Sequence, residues 1–342
     1  MGGSGSSRPT PTCKPGPGLT PCGGTGPVAG AMPSESVDIL VATFDGERWL
    51  AAQLDSLLAQ THAGVRIIIR DDGSRDGTGA IIARYAAGHP QLIRVLADDG
   101  NNRRACGNFA ELLRHAEAPY AMFCDQDDVW HPDKVAVSLA TMRVAEAASP
   151  GAPVLVHADL AVVDEALAPI APSLARFLRL DLAGGTRLPR LLAHNVVTGC
   201  TMLMNRPLIA RCLPIPSEAI MHDWWVALVA AACGRIALVP RPLVEYRQHR
   251  GNVLGAMGMT WSRLARRLCT SPVSGARERI ERGYRQAAAL RAILGEGTRA
   301  TATIDAFLSM RGRGWFGRRA ALVRHGFWMN GPLRNLGLLA AL

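Results

Sequence analysis

Between Val37 and Asp128 four short apolar runs alternate with segments whose apolar residues recur at helical spacing, and each run is followed by a polar loop carrying Asp. The runs are VDILVAT from Val37, VRIII from Val65, LIRVLA from Leu92 and YAMF from Tyr120. Between the first two, RWLAAQLDSLLAQ places Trp49, Leu50, Leu54, Leu57 and Leu58 on one helical face. A second helix is expected from about Gly79 to Ala87, and a third in NFAELLRHA. Strands alternating with helices of this length predict an α/β fold: a doubly wound, mostly parallel sheet with helices on both faces. In such sheets the loops at the carboxyl ends of the strands form the ligand rim. Thr43 to Glu47, Asp71 to Ser74, Asp98 to Arg104 and Asp125 to Asp128 should therefore converge.

The fourth loop is the most demanding. CDQDDVW sets Asp125, Asp127 and Asp128 side by side behind a buried strand. Like charges this close repel, and their desolvation is costly unless a cation sits among them. A single Asp here would read as a helix cap before Pro132; three point to a divalent cation. Mg2+ or Mn2+ binds through one or two carboxylates plus phosphate oxygens. Asp125 and Asp127 suit that division at a nucleotide pyrophosphate, one at the ribose or a metal-bound water and the other at the metal. In RDDGSRDGT, Gly73 and Gly77 permit a tight turn, and Asp71 and Asp72 are acceptors suited to the N3–H of a pyrimidine base. A plain capped turn is the competing reading.

A nucleoside diphosphate leaving against a metal needs no general acid. What remains is a base for an acceptor hydroxyl. Asp223 in MHDWW, at the start of an apolar helix expected to end at Gly234, is the candidate, with a capping role as the alternative. Its neighbours His222, Trp224 and Trp225 are candidate acceptor contacts, the indoles as platforms for sugar C–H faces or as core. His249, in the polar loop from Gln248 to Asn252, offers an imidazole as a third metal ligand. Arg247 or Arg250 could meet phosphate.

Taken in order, VATFDGERWLAAQLDSLLAQ, RDDGSRDGT, CDQDDVWHPDK, HDWW and YRQH resemble the family 2 glycosyltransferases of GT-A fold, from about Val37 to Ala256. DQDDVW, HDWW and YRQHRGNVLGA are most similar to bacterial rhamnosyltransferase-type members, which build O-antigen or related surface polysaccharide. The resemblance implies transfer from a nucleoside-diphosphate sugar, with rhamnose from dTDP-rhamnose as the donor it suggests, to a saccharide or lipid-linked saccharide. It implies Asp45 and Asp72 at the nucleotide base, with Thr43, Asp71 and Arg104 beside them on the donor side. Asp125 and Asp127 would be the DxD pair, Asp223 the base of an inverting displacement and His249 the late metal ligand for Mg2+ or Mn2+. The base segment often reads Glu-Asp in the family; His222-Asp223 here leaves the preceding acceptor contact open. A metal-dependent nucleotidyltransferase would want a Gly-rich, basic signature after the first strand, which Thr43 to Trp49 lacks. A non-catalytic glycan-binding module would have little need of Asp125, Asp127, Asp223 and His249 together.

The expected organisation is a disordered Gly/Pro/Ser-rich tail over 1–34, a GT-A domain over 35–257 and an Arg-rich helical region over 258–342. Within the domain, the nucleotide half spans about 35–130 and the acceptor half 131–257. VLVHADLAVVD and VTGCTMLM read as extended, and RIALV and LVEYRQH as two strands separated by Pro240 and Pro242. The net charge of +10 suits anionic ligands or lipid. No zinc-finger or RNP-like pattern accompanies it, so nucleic acid is not an expected partner. No run reaches the roughly 18 apolar residues of a membrane-spanning helix. Eight cysteines without a CxxC pair fit a reduced cytoplasm. From Arg311 onward, arginines interleave with Trp315, Phe316, Phe327 and Trp328, which predicts a peripheral helix on the anionic inner face of the cytoplasmic membrane. Packing of those rings onto the catalytic domain is the competing reading.

Overall fold

β1 (Val37–Thr43) is buried along almost its whole length, as an unbroken apolar run covered on both faces requires. It is followed by α1 (Leu50–Leu58), β2 (Val65–Asp71), α2 (Thr78–Gly88), β3 (Ile93–Val95), α3 (Arg104–Arg114) and β4 (Tyr120–Asp125). These four strands pair in parallel in the order β3-β2-β1-β4. This computed structural model describes residues 1–2, 35–97, 100–249 and 273–342. The tail expected to be disordered lies almost wholly outside them, as do Arg250 and the segment after it.

The chain continues with β5 (Val129–Trp130), α4 (Lys134–Ala147), β6 (Val154–Val163), β7 (Pro169–Ala171), α5 (Leu174–Leu178), α6 (Leu188–Ala193), β8 (Leu203–Asn205), α7 (Arg206–Cys212), α8 (His222–Cys233) and β9 (Arg235–Arg247). The sheet extends past β4 as β8-β6-β9-β5, with β7 beside β6. β8 is antiparallel to both its neighbours, and β9 runs parallel to β6. Alternation along β1 sends Val37, Ile39 and Val41 to a layer shared with α1 and α4. Leu40 faces the other layer, with α3, α6 and α8.

Three expectations change. VTGCTMLM is not one strand: a 3-10 turn at Gly199–Thr201 precedes the short β8, and it brings Gly199 against the start of α8. RIALV and LVEYRQH form the single strand β9, whose register slips between Val239 and Pro242. Prolines are tolerated there because β5 pairs only with Val244 and Glu245, leaving the earlier part of β9 with one free edge. Helix α3 begins at Arg104, inside what reads as loop.

The C-terminal helices Val273–Ala292, Arg299–Ser309, Trp315–His325 and Pro332–Ala341 are present as expected. They share a core with α8 rather than standing apart. Leu290, Ile304, Phe307, Leu322 and Phe327 are buried in the same cluster as Trp225 and Val226. Trp315 and Phe316 remain 57% and 81% exposed. Among the described residues, no helix is long and apolar enough to cross a membrane.

Candidate active site

The carboxyl ends of β1, β2 and β4 bring their loops onto one rim, where hydrogen bonds lace them together. Asp45 N donates to Ser74 Oγ, and Arg75 N to Asp45 Oδ1, each at 2.8 Å. Gly77 N donates to Glu47 Oε2 at 2.6 Å. Gln126 bridges to β1's loop twice, accepting from Phe44 N and donating to Phe44 O at 2.8 Å. The turn after β2 needs Gly73, whose φ is +84°. Phe44, Asp45, Asp72, Gly73, Arg75, Gly100 and Asn102 line a cavity of about 400 Å3.

The donor-side candidates divide within this rim. Asp45 is exposed and Asp72 is 2% exposed, and both line the cavity. Asp72 Oδ1 accepts from Arg70 Nη1 at 2.7 Å and Arg103 N at 2.9 Å. Asp71 and Thr43 do not face the cavity. Asp71 takes Thr43 Oγ1 and Ser74 Oγ at 2.6 Å and Ser74 N at 2.8 Å, so both side chains are spent on the turn. Thr43 is only 1% exposed. Arg104 is exposed at the start of α3 with a φ of +56°, near Asn102 but outside the cavity wall.

At the end of β4 the three carboxylates differ sharply. Asp127 Oδ2 meets His249 Nε2 at 2.7 Å, and its carbonyl accepts from Arg247 Nε at 2.8 Å. Arg247 is thereby held in the structure, 3% exposed, with Nη1 on the Glu165 carbonyl at 2.6 Å. Asp128 is 0% exposed; Oδ1 accepts from Arg247 N at 3.2 Å while Oδ2 has no hydrogen-bond partner. Loss of water, then the charges of Asp127 and Asp125, push Asp128 well up. Asp125 is pushed up to about 7 by loss of water and by the charges of Asp127 and Asp223. Among the described residues, the three ligand atoms that come within 4.8 Å of one another belong to Asp125, Asp128 and Cys200, not to Asp125, Asp127 and His249. Burial holds the Cys200 thiol protonated, which leaves it a poor ligand. Asp127 Oδ2 and His249 Nε2, 2.7 Å apart, are a carboxylate and an imidazole, groups of the kind Mg2+ and Mn2+ accept.

Asp223 stands at the start of α8, 8% exposed, close enough to act electrostatically on Asp125. Its Oδ1 accepts from Trp224 N at 2.5 Å and its Oδ2 from Gly199 N at 3.2 Å. A Cβ on Gly199 would stand 3.4 Å from that of Asp223 and 2.9 Å from His222 Nε2, so only glycine lets the turn approach. Burial lifts the carboxyl to about 6 against those two N–H bonds.

The expected acceptor contacts lie mostly in the core. His222 is 4% exposed, stacks on Phe109 at 4.0 Å and meets Phe123 edge-on at 4.7 Å; burial drops its imidazole to about 3. Trp225 is 1% exposed, with Nε1 on the Cys212 carbonyl at 3.0 Å. Trp224 is half-buried, its Nε1 on the Leu191 carbonyl at 2.7 Å. An α-helix buried on nearly every face uses such side chains as packing, and Trp224 alone of the three is half-buried beside Asp223. Arg70, Arg75, Asn102 and Gln126 also belong to the rim. Arg70, a cation set between the Ile67–Ile69 run and two Asp, is a readable signal.

Residues 38–204 match the family described as "Glycosyl transferase family 2". An uncharacterized protein of Mycobacterium tuberculosis is 30% identical over 217 residues, which is 62% of this chain and 59% of that protein. The chain thus spans less than two thirds of the length of that relative. The dTDP-rhamnosyl transferase RfbG of Shigella flexneri is 26% identical over 223 residues, 63% of this chain and 74% of that protein. Among solved structures, Staphylococcus aureus TarS 1-349 in complex with UDP-GlcNAc superposes with a TM-score of 0.56 at 15% identity, covering 80% of this chain and 70% of that one. The mannosyltransferase PcManGT of Pyrobaculum calidifontis, in complex with GDP-Man and Mn2+, gives 0.51 at 19% identity, covering 89% and 78%.

Proposed function

The chain carries a family 2 glycosyltransferase domain in the GT-A fold, and we propose that it moves a sugar from a nucleoside-diphosphate donor to a saccharide hydroxyl with inversion. The observation that carries this reading is Asp223, a carboxylate 8% exposed at the start of α8 that holds two backbone N–H groups. A carboxyl lifted to about 6 is ionised at neutral pH, yet basic enough to take a hydroxyl proton as the bond to carbon forms. In the displacement the acceptor oxygen bonds the anomeric carbon, the bond from that carbon to the diphosphate oxygen breaks, and the proton goes to Asp223.

On the donor side, Asp45 and Asp72 would receive the base in the cavity, with Arg75 and Asn102 on its wall. Arg104 would stand at its margin, while Thr43 and Asp71 shape the turn. Asp125, Asp127 and His249 would hold Mg2+ or Mn2+. Once bound, such an ion balances the diphosphate charge, so the leaving group needs no proton. Similarity to the Shigella protein supports dTDP-rhamnose as donor and cell-surface polysaccharide synthesis as setting. A lipid-linked acceptor and a peripheral place on the cytoplasmic face of the membrane belong to the same reading. Trp315 and Phe316, exposed among arginines, support it.

A panel of sugar nucleotides with Mn2+ and a saccharide-lipid acceptor, read by mass spectrometry, tests the reaction. Calorimetry with UDP and dTDP tests the site: Asp127→Ala should abolish Mn2+-dependent binding while Mn2+-independent contacts persist. Unchanged Mn2+-dependent affinity in that variant would remove the metal role from Asp127.

A further inference from the structure

The stretch of backbone that leads to Asp223 is held by a C-terminal helix. α7 ends at Cys212, and the chain reaches α8 through 213–221, which form neither helix nor strand. Pro214 and Pro216 remove two backbone donors from that stretch. Backbone groups without a ladder must find partners elsewhere. For Ile220 both partners come from the helix Val273–Ala292, which lies outside the residues 38–204 that match the family. Ile220 N donates to Gln286 Oε1 at 2.8 Å, and Ile220 O accepts from Arg282 Nη2 at 3.4 Å. Positions 282 and 286 stand one turn apart on the same face, so one helix grips both polar groups of a single residue.

The two contacts differ in kind. Arg282 is exposed, and Gln286 is 2% exposed. Its neighbours Tyr284, Ala287 and Leu290 lie in the core that also holds Trp225 and Val226 of α8. A buried amide costs free energy unless it is bonded, and an apolar side chain would fill that place without the cost. What the amide adds is an acceptor for the Ile220 N–H. The next residue, Met221, caps α8, and its carbonyl accepts from Trp225 N at 3.0 Å, the bond that opens the helix. Asp223 sits in that first turn, with Oδ2 on Gly199 N at 3.2 Å. Its carboxylate is therefore fixed between the Gly199 turn on one side and a helix entry tied to Gln286 on the other.

We propose that Gln286 is a positioning residue for Asp223: its amide oxygen, with Arg282 beside it, sets where α8 begins and so where the carboxylate meets the acceptor hydroxyl. The helix Val273–Ala292 is then part of the acceptor side and not an appendage to it. The proposal rests on Asp223 as the base of the transfer. Gln286 is buried and acts through Ile220.

The test uses the full chain as Gln286→Met, Gln286→Glu and Arg282→Met. Methionine keeps the length of the side chain and loses the acceptor; glutamate keeps an oxygen for the Ile220 N–H. Each is read by transfer from dTDP-rhamnose to a saccharide-lipid acceptor, by thermal melting, and by hydrogen exchange over 217–225. In Gln286→Met, well below its melting temperature, kcat should fall by about 10- to 100-fold at unchanged donor KM, as a small misplacement of a reacting group does. Exchange at the start of α8 should quicken by about tenfold relative to the rest of the protein. Gln286→Glu should restore most of both. A side chain that only stabilises the core predicts a lower melting temperature with kcat unchanged in the folded protein and exchange quickened alike everywhere, or equal losses in the two Gln286 variants; either result overturns the proposal. If Gln286→Met does not fold, Arg282→Met, altered at an exposed side chain, decides: a kcat loss of about threefold at unchanged donor KM supports the proposal, and no loss overturns it. A wild type without transfer would count against the proposed reaction, while hydrogen exchange would still decide whether Gln286 holds the entry of α8.

Discussion

Asp72, on the wall of the rim cavity, and Asp223, at the start of α8, are both nearly buried, at 2% and 8% exposed, yet their surroundings are opposite in kind. Asp72 lies against the Arg70 guanidinium at 2.7 Å and takes a backbone N–H besides. Asp223 has two N–H bonds and no cation, and the groups around it are the apolar wall of α8 and the Gly199 turn. A carboxylate matched with a cation is held in place, as an acceptor for a base in the cavity must be. A carboxylate deprived of water without a cation is held ready for a proton. The two halves of the rim therefore separate shape from chemistry.

Substitution at Asp223 should break that contrast most severely. Asp223→Asn is expected to lower turnover by about 10²–10⁴-fold, the usual contribution of a positioned base, while nucleotide binding is kept. In the wild type, turnover should fall away as pH drops below about 6, where Asp223 takes up its proton. Stability runs the other way. The folded carboxyl sits above its ordinary 3.8, so its contribution is fully present below that pH and is lost as pH rises through about 6. A side chain that cannot ionise escapes the loss. Above neutrality, Asp223→Asn should therefore be more stable than wild type, by on the order of 1–3 kcal/mol in urea unfolding. Near-normal transfer by the folded variant would move the base elsewhere, and reduced stability above neutrality would show that Asp223 is not strained by burial.

Arg70→Met probes the other half. It strands Asp72 in a site solvent barely reaches, and stranding one partner of a buried pair costs about 3–5 kcal/mol. The folded fraction should keep the pH dependence set by Asp223. A shift of that dependence would mean the two halves are electrically coupled and the division between shape and chemistry fails.

The contrast also explains what could be read from the sequence. β1 to β4 were legible because apolar runs and helical periods report burial directly, and the Asp-bearing loops had to gather where parallel strands end. Asp223 and the DxD carboxylates could be picked out because acids beside apolar runs are rare. Their neighbours are harder to place. HDWW reads equally well as an aromatic platform or a core helix, and only the sheet behind α8 decides: His222 lies between Phe109 and Phe123. Asp71 and Asp72 are adjacent in sequence with no local sign of which one a turn consumes; Ser74 and Thr43 consume Asp71. The merger of β9 across Pro240 and Pro242 depends on how far β5 reaches, which is set by a strand more than 100 residues away.

The smallest expected effect lies at the C-terminal helices, where the contrast between buried and exposed rings can be sharpened. Removing everything from Arg311 would strip Leu322 and Phe327, at 0% and 1% exposed, out of the core that supports α8. Loss of vesicle binding in such a truncation would say nothing specific about lipid. Trp315 and Phe316 are different: they pack edge to face at 4.5 Å, largely in solvent, with the Arg319 guanidinium 3.6 Å from the Trp315 ring centre. Trp315→Ala/Phe316→Ala should change stability by no more than about 0.5 kcal/mol, as exposed substitutions do. Aromatic rings flanked by cations suit the interface of an anionic bilayer, where each nearby arginine adds about 1 kcal/mol, weakened by salt. Flotation with anionic vesicles at low salt should therefore recover the wild type and lose much of the double variant, at equal thermal stability. Equal recovery of the two proteins would assign these rings to some other contact, and flotation of neither would leave the C-terminal helices as support for the acceptor side alone.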